Sequence, residues 1–297
     1  MRIGYYPGCS LTSSAREYDE SVRAVCEVLD LTLVEIPDWN CCGASSAHVA
    51  GAELALGLRA RNLALAEAAG LDEILAPCAA CFNRLATASV ELADAPDKRQ
   101  AVSEVIGMPY SGKVRVLNML AVLDRFKDQI AAKTEQSFRH KVACYYGCLL
   151  VRPAKVAQFD RVEDPQTMDQ VMAAAGAKPV RWSSKTECCG AGVSSVTRTD
   201  LVANLSGRIV ADATRREAVA IVTACPMCQS NLDMRRPEIN QKLQTEHPIP
   251  VLYVTQALGL AMGIDPQRLG LQRHMVPVEL PEPEPEVVTT DDDDDED

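Results

Sequence analysis

Ten of the twelve cysteines in this chain fall into two copies of one pattern. The first copy is Cys9, then Cys41-Cys42-Gly43, then Cys78 and Cys81 as a Cys-x-x-Cys. The second is Cys148, then Cys188-Cys189-Gly190, then Cys225 and Cys228. In both copies 35 residues separate the adjacent pair from the Cys-x-x-Cys, while the lead-in is 31 residues in the first and 39 in the second. Thiolates are soft ligands that suit zinc and iron-sulfur centres. A set of five is one more than zinc or an ordinary cubane cluster needs. Cys-x-x-Cys alone is shared by redox dithiols, zinc ribbons and cluster sites. The adjacent pair is more restrictive: neighbouring side chains do not easily converge on one small tetrahedral ion, but they reach different irons of a larger cluster. Structural zinc stays open as the alternative.

Those thiols need elements to hold them, and the pattern around them alternates. In the first half Arg2–Tyr6, Thr32–Ile36, Ile74–Ala76 and Val114–Leu117 read as strands. Ala15–Leu29, Ala50–Ala69, Ala79–Leu92 and Asn118–Phe126 read as helices, the first with Val22, Val25, Val28 and Leu29 on one face. The second half repeats the order with strands at Lys141–Tyr145, Pro179–Trp182, Ala218–Thr223 and Val251–Val254. Its helices are Thr167–Ala175, Asp200–Ala213, Pro226–Asp233 and Thr255–Met262. Such alternation predicts an α/β fold of two pseudo-symmetric, Rossmann-like domains, each with a parallel sheet. Cys9, Cys41-Cys42 and Cys78 each follow a predicted strand, as do Cys148, Cys188-Cys189 and Cys225. The carboxyl ends of parallel strands line one edge, so three loops per half bring their thiols together there. The expected domains are 1–130 and 140–270, with a junction in the polar stretch Lys127 to His140 and a disordered acidic tail at 277–297.

Composition sets the context. Hydrophobic residues make up 47% of the 297, enough for packed cores. No apolar run approaches the roughly 20 residues of a membrane helix, and Met1-Arg2-Ile3-Gly4-Tyr5 opens on strand-like sequence rather than a signal peptide. The expectation is a soluble, cytoplasmic protein, where thiols stay reduced and serve metals or redox chemistry. The formal net charge is −11, but residues 277–297 hold 11 acidic and no basic side chains. The body is balanced and has no bulk electrostatic reason to bind nucleic acid or membrane. The tail reads as solubilising, with docking on a partner as the alternative.

Tyr5-Tyr6-Pro7-Gly8-Cys9, the two Cys-Cys-Gly motifs and the Pro-Cys-x-x-Cys of Pro77-Cys78-Ala79-Ala80-Cys81 make residues 1 to about 265 resemble the twin cysteine-rich (CCG) domains of the B subunit of heterodisulfide reductase. The resemblance implies a noncubane [4Fe-4S] cluster in each half, held by Cys9, Cys41, Cys42, Cys78 and Cys81, and by Cys148, Cys188, Cys189, Cys225 and Cys228. It implies a catalytic subunit that splits a disulfide between its two clusters, each half of the substrate being captured on an iron. Electrons would come one at a time from a C-subunit-like iron-sulfur partner, fed by an A-subunit-like flavin partner. Relatives with other substrates serve sulfur oxidation, aromatic-acid degradation and flavin-based electron bifurcation. An electron-relay subunit of a lactate, glycolate or fumarate/succinate enzyme is the alternative. Neither a ferredoxin-type cysteine run nor a Gly-x-Gly-x-x-Gly occurs, so the sequence points to an electron-transfer partner.

The remaining candidates are few. Cys26 and Cys144 lie within a predicted helix and a predicted strand and read as buried small hydrophobes. His48 follows the first Cys-Cys pair, with a substrate-facing role and a plain helix-start role both open. Arg152, Lys185 and Arg198 flank the second set and are candidate partners of an anionic substrate, with solvated faces as the bland alternative.

Overall fold

A computed structural model describes residues 1–134, 138–192 and 198–282. The first half builds a sheet from β1 (Arg2–Tyr5), β2 (Thr32–Glu35), β3 (Glu73–Leu75) and β4 (Arg115–Leu117), ordered β2-β1-β3-β4 with every pairing parallel. The second half repeats it with β5 (Lys141–Tyr145), β6 (Lys178–Pro179), β7 (Ala220–Thr223) and β8 (Val251–Tyr253), ordered β6-β5-β7-β8 and again all parallel. In each order the first crossover runs one way and the later ones the other. With right-handed crossovers this wraps helices over both faces. The strand order reverses between β1 and β3, and between β5 and β7, which places a crevice at their carboxyl ends.

The principal helices lie where the apolar periodicity puts them. Arg16–Val28 buries Tyr18, Ser21, Val22, Val25 and Cys26 along one face. Ala52–Ala68 stops before Gly70, whose φ of +69° suits glycine at a helix end. Ala79–Ala93 and Pro226–Asp233 begin directly after Cys78 and Cys225.

Three expectations need correction. Of the strand expected over Pro179–Trp182, only Lys178–Pro179 pairs, and Ser184–Thr186 is a short 3-10 turn. Pro179 is tolerated because β6 is an edge strand and Lys178 and Val180, on either side of it, donate to the His140 and Val142 carbonyls along β5. Trp182 then gives its indole N–H to the Cys144 carbonyl instead of continuing the ladder. Helices Pro96–Ile106, Lys127–Lys133 and Arg236–Leu243 stand in stretches to which the pattern assigns no element. Their polar surfaces hide the helical period, and Lys127–Lys133 puts order inside the expected junction. Finally, Val278 and Leu280 are partly buried against the core, so the packed body extends past 277. The rest of the expected tail, 283–297, lies outside the described residues.

One continuous hydrophobic core runs through both halves. The Arg16–Val28 helix packs on the Val254–Ala261 helix of the other half. There Tyr18 stacks on Tyr253, and the Ser21 and Thr255 hydroxyls meet at 2.7 Å in the buried seam. Arg268 and Arg273 reach back to Glu27 and Glu20, at 2.7 and 2.6 Å.

Candidate functional site

The turns after β1 and β5 are built alike. Gly8 and Gly147 both have φ of +65°, a conformation that glycine enters without strain. A Cβ at Gly8 would lie 3.0 Å from the Cys81 sulfur, and one at Gly147 would lie 3.0 Å from the Cys228 sulfur. The backbone therefore approaches each Cys-x-x-Cys as closely as a residue without a side chain permits. Tyr6 then donates its hydroxyl to the Asn40 carbonyl at 2.8 Å, and Tyr145 donates to the Glu187 carbonyl at 2.7 Å. Each accepting carbonyl belongs to the residue before a Cys-Cys pair. Strand register agrees with this pairing: Tyr5 is opposite Leu75, three before Cys78, and Cys144 is opposite Val222, three before Cys225. The equivalent residues are thus Tyr6 with Tyr145 and Tyr5 with Cys144.

All ten sequence-selected cysteines come to these two sheet edges, five to each. In the first half the Cys42 and Cys81 sulfurs are 3.4 Å apart, and those of Cys9 and Cys41 are 4.0 Å apart. In the second the Cys189 and Cys228 sulfurs are 3.5 Å apart, and Cys148 is hydrogen-bonded to Cys188. Cys42, Cys78 and Cys81 are buried, as are Cys189, Cys225 and Cys228, while Cys9, Cys41 and Cys188 are exposed and Cys148 half-buried. Each cage is closed on the Cys-x-x-Cys side and opens to solvent at its first cysteine and the first of its pair. The Gly43 and Gly190 N–H groups donate to the Cys41 and Cys188 sulfurs, at 3.5 and 3.4 Å. Both glycines hold positive φ, +70° and +86°, which glycine enters without strain.

The thiols divide into proton donors and acceptors. A hydrogen bond from Cys81, helped by the nearby Arg59 and Arg84 charges and opposed by burial, brings Cys42 down to about 7. A hydrogen bond from Cys148 and the Gly190 N–H brings Cys188 down to about 6. Burial, with the Cys41 thiol beside it, pushes Cys9 up to about 11. Cys81 is raised by its hydrogen bonds to Cys42 and Cys78, and Cys228 by the same bonds to Cys189 and Cys225. Among the described residues no group of three or more His, Cys, Asp or Glu side chains stands ready around a single ion. The sulfurs sit in contact, sharing protons, and must part and shed those protons for metal to enter. Five soft donors at each edge fit an iron-sulfur group; no geometry of such a group follows from thiols in contact.

The two sites approach one another. Asn83, on the helix that carries Cys81, donates to the carbonyls of Leu149 and Arg152 in the loop after Cys148, at 3.1 and 2.8 Å. Tyr18 and Tyr253 lie within electrostatic reach of both Cys78 and Cys225. The stacked rings therefore stand beside the two buried cysteines that belong to opposite halves.

Other candidates resolve differently. Cys26 and Cys144 are core residues, and burial raises Cys26 to about 12. Three proposed anion partners are already taken. Lys185 is buried against Asp169 and Asp164 at 2.9 and 3.4 Å, Arg152 pairs with Glu163 at 2.9 Å, and Arg198 with Asp200 at 3.3 Å. The side chain of His48 lies outside the described residues. Sequence reading passed over Arg59 and Arg84. Aligning the halves would have flagged them, because Ser206 and Asn231 hold the corresponding places.

Comparison with known proteins agrees with this geometry. The model of the CCG cysteine-rich domain matches residues 3–86 and again 142–233. The chain is 33% identical over 276 residues to the 8-methylmenaquinol:fumarate reductase membrane anchor subunit of Wolinella succinogenes, covering 92% of this chain and 96% of that protein. It is 30% identical over 288 residues to the B subunit of the ferredoxin/F(420)H(2)-dependent CoB-CoM heterodisulfide reductase of Methanosarcina acetivorans, covering 93% and 94%. A crystal structure of a hypothetical protein from Helicobacter pylori superposes with a TM-score of 0.77 at 15% identity, over 94% of this chain and 52% of the other, and so shares the fold. This chain spans about half of that solved chain. The two matched stretches each enclose one complete cysteine cage, and with that the chain belongs to the CCG cysteine-rich domain family, of which it carries two copies.

Proposed function

We propose that the chain is the iron-sulfur subunit of a heterodisulfide-reductase-like complex, acting on a disulfide with one noncubane [4Fe-4S] cluster in each half. The observation that carries this reading is the pair of complete five-thiol cages at equivalent sheet edges. Splitting a disulfide consumes two electrons and two protons and gives two thiols, and two clusters supply one electron each. Cys9, Cys41, Cys42, Cys78 and Cys81 would hold one cluster, and Cys148, Cys188, Cys189, Cys225 and Cys228 the other. The chain's own contribution is positional. Gly8 and Gly147 let the backbone close over the cage, the Gly43 and Gly190 amides support exposed thiolates, and the helix starts after Cys78 and Cys225 favour negative sulfur. The open side at Cys9, Cys41, Cys148 and Cys188 is where a substrate sulfur would enter. Electrons would arrive from a C-subunit-like iron-sulfur partner and an A-subunit-like flavin partner, in the reducing cytoplasm.

A second reading has its own support. The relative at 33% identity is named as an anchor subunit of a fumarate reductase, so the chain would instead relay electrons within a quinol-linked complex. Among the described residues no helix is long and apolar enough to cross a membrane, so attachment would then rest on protein contacts or on a membrane surface.

Anaerobic purification separates these from structural zinc: about eight irons per chain are expected for two four-iron clusters, and stoichiometric zinc without iron would end both readings. Turnover of an organic disulfide by dithionite-reduced viologen then divides them. The disulfide reading expects turnover that Cys42→Ser and Cys189→Ser each abolish. Iron-loaded protein without turnover leaves the relay.

A further inference from the structure

The two cages are equivalent in their cysteines but not in what stands behind them. Arg59 lies as far after Cys42 in sequence as Ser206 lies after Cys189, and Arg84 as far after Cys81 as Asn231 after Cys228. In the second half both residues serve the backbone. Ser206 donates to the Cys189 carbonyl at 2.9 Å, and Asn231 donates to the same carbonyl at 3.0 Å, with its amide 3.7 Å from the Cys189 sulfur. In the first half the same places hold two cations. Both act on the Cys42 thiolate.

Neither cation is neutralised. Among the described residues Arg59 and Arg84 make no salt bridge and no side-chain hydrogen bond. Arg59 is 9% exposed and its Nε is buried without a partner. An orphaned guanidinium nitrogen at that depth costs free energy unless an acceptor arrives. Burial and the Arg84 charge both act against the Arg59 cation. Glu91, whose charge acts on Arg59, is already engaged by Lys98 at 2.9 Å.

Both arginines line a groove of about 600 Å³ between the Ala52–Ala68, Ala79–Ala93 and Pro96–Ile106 helices. Its walls include Leu56, Val102 and the exposed Val105. The volume is within the range of small-ligand sites; Glu53, Glu91 and Lys98 also line it, with Lys98 paired to Glu91, so the two arginines are the cations there left to take an oxyanion.

From this asymmetry we infer that Arg59 and Arg84 form a recognition site for the anionic group, a carboxylate, sulfonate or phosphate, of a small ligand held in this groove. Among the described residues of the second half, Ser206 and Asn231 stand in place of the arginines, so the corresponding place carries no cation.

The test is calorimetric binding to the anaerobically purified full chain at low ionic strength, with 3-mercaptopropionate, the neutral 3-mercapto-1-propanol, and propionate as probes. Wild-type protein is expected to prefer the mercaptocarboxylate over the alcohol by at least about tenfold, and Arg84→Gln or Arg59→Gln to cut the preference below about threefold, since each removes a charge-assisted partner. The exposed Arg115→Gln should keep it. Propionate binding weakly, with the same dependence on both arginines, assigns the anion subsite independently of sulfur. A wild-type preference near one, no measurable mercaptopropionate binding, or a preference kept in both variants would overturn the site. So would a wild-type preference near one joined to a lowered cluster midpoint potential in the variants, which would assign the arginines to balancing the cage's own charge. Half-buried Arg84→Gln carries the comparison alone if Arg59→Gln does not fold. Disulfide turnover is not read, so discrimination between the probes without turnover keeps this site while removing the function reading, and turnover without discrimination does the reverse.

Discussion

Tyr18 and Tyr253 stack face to face across the junction of the two halves, their ring centroids 4.0 Å apart and their planes within 4° of parallel. Each hydroxyl has a partner in the first half: Tyr18 donates to the Pro77 carbonyl, next to Cys78, and Tyr253 to Glu17, both at 3.4 Å. Both side chains are fully buried. This one contact joins the turn that carries a cysteine of one cage to the last strand of the other half.

Removing either ring should therefore be felt throughout the molecule. Tyr18→Ala and Tyr253→Ala are each expected to cost about 3–5 kcal/mol, the usual loss for a large buried aromatic. The double variant should fall short of additivity by about 0.5–1.5 kcal/mol, the energy of the ring pair itself. Denaturant unfolding of the two single variants and the double variant measures this. Strict additivity would mean that the rings do not interact.

Gly8→Ala and Gly147→Ala are expected to act alike, because the same atom would meet the same kind of sulfur in each half. Strain at positive φ is worth about 1–3 kcal/mol, and displacement of Cys81 or Cys228 should lower iron uptake at that half alone. Thermal unfolding together with iron counting reads both effects. Full iron loading in both variants would show that the close approach is incidental.

Lys185 belongs to the scaffold and not to ligand binding. Its ammonium is buried between Asp169 and Asp164 and above the Tyr146 ring, and its own carbonyl accepts from Tyr146 and Gly147. Lys185→Met should destabilise the fold by about 3–5 kcal/mol, because Asp169 is then left without its partner in a desolvated place. Its binding of 3-mercaptopropionate, measured on the folded fraction, should not change. A variant of native stability would count against the buried ion pair.

The segment 283–297 carries nine acidic side chains and no basic one. Its removal should leave unfolding and iron content unchanged. If it docks on a basic partner surface, affinity for that partner should fall most at low salt, since screening already weakens such contacts at high salt. Lost iron in the truncated chain would place the segment within the folded body.

The cages were the legible part of the sequence. Cysteine spacing named all ten thiols, and strand-like runs before them placed them at carboxyl sheet edges, because both signals are local. The arginine pair was not legible in this way. Arg59 sits in an Ala- and Leu-rich helix and Arg84 in another, and nothing local marks either as unpaired. Conversely Lys185 and Arg152 looked available because their carboxylate partners, Asp169 and Glu163, are brought in by the chain's turn after Cys148. Tyr5 and Cys144 share a place for a reason the sequence half showed: both precede their cysteine by four residues, but only strand register makes them the same position.

The segment after β8 closes the fold by returning to its beginning, with Arg268 and Arg273 held by Glu27 and Glu20 of the Arg16–Val28 helix. The two repeats of this duplication thus share one packed seam. Either repeat expressed alone would present half of a shared apolar seam to water, including one ring of the tyrosine stack. The seam ties the folding of one repeat to that of the other, so a lesion in the seam itself, unlike one confined to a cage, should weaken both halves together.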